Sequence, residues 1–404
     1  MKAARRSAVA GLTLALALVG ATGSAAASKD PVGRVVFARG TSLWLTDGKG
    51  KGPAVELATL PGPAADVRQI RTDATGTTIL VDVAGRWFWA RMPAADLPKP
   101  EAPPATLAEL PCGAGAARLS LAGDCVVCAS ATGKTLLVRL DDGKSFARDL
   151  PGASIALTER DGQRELVWIA DGAVRAAPIA DRKAMRVVVP EAPSRGLVVA
   201  PDGKRAVGVY LAPPTGQPKT DAPRDQLFSF ALDGGTARRR LLRDAVVLDW
   251  SWDSQWLLMQ DGGKACVARA IGGEYKCWKG FTAVSLSPDG AWALVLGPRD
   301  GAAAPGDDDG GDDGPGEGEG GDDDSDDAGE ATVALPTGPL SLYRARLPGT
   351  YTERPVLIER VVDGAAAWLA PAGTTLPPPP APAAKPPAPP TPKPATAPTA
   401  PSTP

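Results

Sequence analysis

One short phrase recurs along this chain at a spacing that few folds can use. Val198-Val199-Ala200-Pro201-Asp202-Gly203-Lys204 runs into Ala206-Val207-Gly208-Val209, and Ser285-Leu286-Ser287-Pro288-Asp289-Gly290-Ala291 runs into Trp292-Ala293-Leu294-Val295. Fainter copies occupy Thr72 to Gly76, Leu119 to Asp124, Thr158 to Gly162 and Trp250 to Gln255. Their turn positions, Gly76, Gly123, Gly162, Gly203, Ser254 and Gly290, are separated by 47, 39, 41, 51 and 36 residues. A period of roughly 40–50 residues belongs to the four-stranded blade of a propeller. In each copy a strand ends, Pro and Asp open a tight turn, Gly takes the position that needs positive φ, and a β-branched strand returns antiparallel. The aspartates of the phrase are therefore turn residues.

The ends of the chain complete the pattern. Ala367-Trp368-Leu369-Ala370-Pro371-Ala372-Gly373 is a seventh copy with only polyproline after it. Its missing partner strands stand near the start, at Arg34 to Ala38, Leu43 to Thr46 and Ala54 to Leu57. Pairing of the two segments closes the ring and removes the free sheet edges that invite aggregation. The expectation is an all-β chain, a β-propeller of seven blades of four antiparallel strands, spanning 28–373.

Three segments fall outside that body. Lys2, Arg5 and Arg6 precede an apolar run from Ala8 to Ala21, and Ala25-Ala26-Ala27 supplies a small-residue cleavage site. This is the order of a secretory signal peptide over 1–27. Its apolar run of 14 residues falls short of the roughly 20 that a bilayer span needs. The mature protein is expected to be exported to the periplasm or the extracellular space, and not to span a membrane. An acidic insertion at about 302–330 and a Pro/Ala/Thr-rich tail over 374–404 have compositions that cannot pack a core, and both are expected to be disordered.

Composition then excludes chemistries. The 404 residues include no histidine, which rules out Ser-His-Asp and Cys-His catalysis, His-ligated zinc and an imidazole proton switch. The net charge of −2 conceals 13 acids between Asp307 and Glu330 and three basic residues in the first six positions. Without those segments, 33 acids face 41 bases, a surplus of 8. That surplus is spread over the body and is not the concentrated stripe that nucleic acid requires, so no nucleic-acid partner is expected.

Export makes disulfides available to the five cysteines. Cys266 and Cys277 flank Gly272-Gly273 in a strand-turn-strand stretch and can face each other across a hairpin. Cys125 and Cys128 point to opposite faces of one strand and do not suit each other, whereas Cys112 can reach one of them. The alternative is that several cysteines stay reduced and pack as small hydrophobes.

The Ser-Pro-Asp-Gly and Ala-Pro-Asp-Gly phrases resemble the WD40-like repeat of the TolB-type β-propellers, over about Arg34 to Gly373. The resemblance implies a propeller of six or seven blades and a role in protein–protein interaction in the cell envelope. TolB-type proteins also carry an N-terminal α/β domain, for which Ser28 to Arg34 leaves no room.

Two clusters stand out as candidate sites. Asp307, Asp308, Asp309, Asp312, Asp313, Asp322, Asp323 and Asp324 offer hard oxygen ligands for calcium. Their spacing matches neither an EF-hand nor a nonapeptide repeat, and a plain solvated acidic loop is the competing reading. Trp250 and Trp252 alternate with Asp249 and Asp253, so on an innermost strand one pair would face the central channel. Aromatic and acidic groups there suit a sugar or a cationic peptide. The competing reading packs the tryptophans between blades.

Hydrolysis without histidine needs paired carboxylates. Thr72-Asp73-Ala74-Thr75-Gly76-Thr77 faintly resembles a sialidase Asp-box, with one residue too many between Asp and Gly. The functional expectation is a non-catalytic module that binds or scaffolds an envelope or extracellular protein and needs no cofactor, with calcium as the one candidate ion. A carbohydrate-binding or carbohydrate-active propeller is the alternative.

Overall fold

A computed structural model describes residues 33–92, 104–371 and 374, apart from 116, 141–144, 149–152, 161, 213–223, 236–237, 244, 273–274, 299–339 and 348–353. Residues 1–27, read above as a signal peptide, the acidic insertion 302–330 and the tail beyond Thr374 lie outside the described residues.

The described chain forms seven sheets of four antiparallel strands each, a seven-bladed β-propeller. In chain order, blade 1 covers 67–109, blade 2 117–148, blade 3 153–189, blade 4 195–243, blade 5 246–279 and blade 6 282–362. Blade 7 is composite: Ala366–Leu369 pairs with Arg34–Arg39, which continues into Ser42–Asp47 and Val55–Thr59. The closing register sets Arg34 opposite Leu369 and Phe37 opposite Ala366. Both ends of the propeller are thus held by one another.

Within each sheet the second strand has neighbours on both edges and blades on both faces. Thr78–Val83 is buried at every position, and Trp292–Pro298 at all but its last. These strands are mostly apolar because both their faces are packed, with Asp82 a buried exception at the cavity wall. Outer strands relax toward alternation, as in Tyr275–Lys279, where both ends are exposed and Lys276 and Trp278 are buried.

The buried apolar residues fall into seven clusters, one at each junction between adjacent blades. Val36, Leu45, Ile79 and Val81 join blades 7 and 1; Leu80, Trp87, Val126 and Val138 join blades 1 and 2. A blade cannot bury its two faces alone, so every junction depends on its neighbour and closure completes the last one.

The repeated phrase forms the turn between the first and second strands, and five copies share one geometry. Gly76, Gly123, Gly203, Ser254 and Gly290 each donate their amide to the carbonyl three residues earlier. All five have φ between 59° and 69°. Where the phrase begins with Ser, the hydroxyl locks the turn: Ser287 Oγ accepts from Trp292 N at 2.9 Å and donates to Asp289 at 2.5 Å. Ser251 repeats this with Trp256 N at 2.8 Å and Asp253 at 2.5 Å. Blade 3 departs from the pattern, because its first two strands stay paired up to Arg160 opposite Gln163.

These turns also interlock from blade to blade. A Cβ on Gly76 would lie 2.5 Å from the Ala370 carbonyl oxygen of blade 7, and one on Gly123 2.7 Å from the Asp73 carboxylate of blade 1. A Cβ on Gly203 would meet Thr158 of blade 3 at 2.9 Å. Thr78 Oγ1 donates to the Gly123 carbonyl at 2.8 Å, and Thr158 Oγ1 to that of Ala200 at 3.2 Å. Glycine is thus required for close approach as well as for positive φ.

Candidate functional site

The first strands of all seven blades surround the propeller axis and enclose a cavity of about 700 Å³. Gln69, Leu119, Leu157, Val198, Leu248, Val284 and Ala366 each contribute from a different blade. The cavity is within the size range of small-ligand sites.

Its polar groups are unevenly placed. Arg68, Gln69 and Arg71 come from blade 1 and Arg118 from the adjacent blade 2, whereas blades 3, 4 and 7 contribute only apolar residues to the wall. Among the described lining residues there are three arginines and two carboxylates, Asp82 and Asp249. Arg71 Nε donates to Gln69 Oε1 at 3.2 Å, which holds these two side chains on one face of their strand. Asp82 accepts from the Gly85 amide at 2.7 Å. Burial pushes its carboxyl above the usual range, against the Gly85 bond and the nearby Arg68. Asp249 is on blade 5, across the ring, and accepts from the Trp250 amide at 2.8 Å.

The four residues singled out from the sequence separate. The first strand of blade 5 ends at Trp250, so Trp252 and Asp253 belong to the following turn and the alternation does not extend to them. Asp249, Trp250 and Trp252 line the cavity. Trp250 is buried at the junction of blades 4 and 5 and its indole N–H donates to the Val198 carbonyl at 3.2 Å. Trp252 is half-buried. Asp253 is absorbed by the turn, accepting from Ser251 Oγ and, at 3.0 Å, from the Gln255 amide.

Asp73 of the Asp-box-like stretch has a similar fate. Its carboxylate accepts from the amides of Thr75, Thr77 and Thr78 at 3.2, 2.9 and 2.7 Å and from the hydroxyls of Thr75 and Thr77. It is a turn anchor beneath blade 2, away from the cavity lining. The eight aspartates named for calcium lie outside the described residues.

Cys266 and Cys277 face each other on adjacent strands of blade 5, with Cα atoms 4.1 Å apart and sulfurs joined. Cys112 is joined to Cys128, and Cys125 is a buried free thiol whose pKa is raised by desolvation. An Asp261 carboxylate oxygen lies within 4.8 Å of the two blade-5 sulfurs, but disulfide sulfurs are not the thiolates a metal needs.

Arg68, Arg71, Arg118 and Asp82 were not singled out by the sequence reading. The available signal was Val67–Thr72, whose sequence VRQIRT carries two arginines where the first strands of blades 5, 6 and 7 read VVLDW, TAVSL and AAWL. Charge on a strand expected at the centre of a ring marks a solvent-filled wall.

No helix among the described residues is long and apolar enough to cross a membrane. No protein-family model matches this chain, and no curated protein matches it. Among solved structures, a putative TolB from Agrobacterium tumefaciens is similar at 12% identity and a TM-score of 0.38, covering 86% of this chain and 96% of that one. A eukaryotic initiation factor crystal structure is similar at 12% identity and a TM-score of 0.35, covering 66% and 78%. Likeness this low carries no argument about function, and the β-propeller assignment rests on the strand pairing alone.

Proposed function

We propose that this chain is an exported, non-catalytic β-propeller that binds or scaffolds a protein in the periplasm or outside the cell. The observation that supports this is a division of roles within the ring. The repeated polar residues are engaged in turns and blade contacts, while blade-specific polar residues gather on one wall of a fixed concave cavity. The two carboxylates of that cavity sit on blades 1 and 5, across the ring from each other and each bonded to a backbone amide. That arrangement suits recognition better than paired acid–base work. Export is supported by the order of residues 1–27 and by the two disulfides, which persist in oxidising compartments.

The test is partner capture from envelope extracts by the mature protein from Ser28 onward. Capture is expected to be lost on truncating the propeller and kept on deleting the tail; absence of any specific partner for either form sinks the proposal. The half-buried Trp252 beside Asp249 favours a second reading, a carbohydrate ligand. It predicts glycan-array binding that Trp252→Ala or Trp250→Ala abolishes. Calcium association with the acidic insertion predicts calorimetric heats that vanish on deleting Asp307 to Asp327.

A further inference from the structure

We infer that the central channel is a binding site for a small organic monoanion: a single carboxylate or sulfonate head on an apolar body. Three arginines, Arg68, Arg71 and Arg118, line the cavity from two adjacent first strands. Each guanidinium carries five donors in a planar fork, so it can keep a partner within the protein and still present N–H groups to an oxyanion. Arg71 and Arg118 are half-buried, which strengthens such a contact relative to one in open water.

The rest of the cavity selects the body of the ligand. Half-buried Leu157 and Leu248 line the cavity from blades 3 and 5, and Val198 and Val247, buried between blades 4 and 5, complete its apolar side. An apolar group gains by displacing water from that surface, at about 25 cal/mol per Å² removed from water. A cavity of about 700 Å³ accommodates a chain or ring system of ordinary ligand size. Asp82, near Arg68 on the arginine wall, and Asp249, on the far side, set the charge count, two carboxylates against three arginines. A second anionic group at the far end of the ligand would meet the Asp249 carboxylate, so dianions are disfavoured and monoanions accepted. The same placement argues against a polyanion threaded through the channel. This inference concerns the channel alone and does not depend on the identity of any protein partner.

The experiment uses the full-length protein and the fluorescent monoanion 8-anilinonaphthalene-1-sulfonate as probe, displaced by three ten-carbon competitors. The expected result is one saturable site per chain from which decanoate displaces the probe, with decanol and the dianion sebacate each at least ten-fold weaker. The double variant Arg71→Gln/Arg118→Gln is expected to bind decanoate at least ten-fold more weakly, Arg71→Lys/Arg118→Lys to lie between, and the outer-strand Arg239→Gln to match the parent. Decanol or sebacate competing as well as decanoate, or the Gln double variant staying within two-fold of the parent, overturns the inference. Displacement by a short acidic peptide at lower concentration than decanoate also overturns it, in favour of a peptide ligand. Should the double variant misfold by circular dichroism, phenylglyoxal labelling of the native protein decides. Decanoate must protect Arg71 and Arg118 and leave Arg239 labelled, and equal labelling with and without decanoate rejects the site.

Discussion

The turn ring and the channel wall are built from the same seven first strands, yet they differ in kind. At the turns, blades 1, 2, 4, 5 and 6 repeat one solution: an i to i+3 bond, a left-handed fourth residue and a hydroxyl or carboxylate that locks the loop. Along the channel the blades diverge, with arginines on blades 1 and 2 and aliphatic residues across from them. Repetition marks what every blade must do to stand beside its neighbour. Departure from the repeat marks where a ligand can be read, because the shared turn geometry does not call for an arginine there.

Closure of the ring bears most heavily on that contrast. Removing residues 364–404 deletes the strand Ala366–Leu369 and with it Trp368 and Leu369, both fully buried. Two junctions then lose their contacts, and a loss of more than about 5 kcal/mol, comparable to a whole domain's stability, is expected. Removing only 375–404 is expected to leave the transition unchanged. Urea unfolding of both forms measures the difference, and equal midpoints would refute interlocking closure.

The next effect separates close approach from backbone strain. Gly76 and Gly133 have φ of 68° and 76°, yet a Cβ on Gly133 would meet nothing within 4 Å whereas one on Gly76 would strike the Ala370 backbone. Gly133→Ala is expected to cost about 1–2 kcal/mol, the price of left-handed geometry for an L residue. Gly76→Ala is expected to cost about 3 kcal/mol or more, since backbone must also shift. Thermal unfolding distinguishes them; equal losses would mean that the turns do not interlock.

Ser287→Ala tests the lock within one turn. The hydroxyl is buried and bonded to Trp292 N and Asp289, so its removal leaves an amide short of an acceptor and is expected to cost about 1–3 kcal/mol. A null effect in urea titrations would show the lock to be dispensable.

The smallest effects are two opposite pH slopes. For Asp124, in the turn of blade 2, burial pushes the carboxyl up but Arg164 at 2.8 Å and Ser120 outweigh it and hold it below the usual range. Its contribution is present above the unfolded carboxyl pKa and lost as pH falls through the lower folded value. For Asp82, on the channel wall, desolvation raises the carboxyl. The folded state then holds the proton more tightly, so stability falls as pH rises from the unfolded value through the raised folded one. Asp124 is half-buried and Asp82 is buried, and each effect is expected to be on the order of 1 kcal/mol. Unfolding between pH 3 and 7 should show Asp124→Asn less stable than the parent at pH 7 and Asp82→Asn more stable; slopes of the same sign would break the comparison.

Much of this architecture was legible in the chain. Six spaced turn phrases, a seventh before the tail and strand-like sequence at Arg34 announced seven blades and their closure, because turn chemistry is local and each copy carries its own Gly, Asp or Ser. The Cys266 and Cys277 hairpin was legible for the same reason. The candidate site was less so: Trp252 and Asp253 read as strand continuation, and only the end of the strand at Trp250 placed them in a turn.

Sequence by itself therefore determined blade number, strand order and the meaning of the turn glycines as left-handed positions, all consequences of residues near one another in the chain. Only the tertiary structure decided that Gly76 abuts Ala370, that Trp250 bonds to Val198, and that Arg71 and Arg118 share a wall opposite Asp249. Those pairs are separated by tens to hundreds of residues, and a ring brings them together through its curvature, which no single repeat encodes.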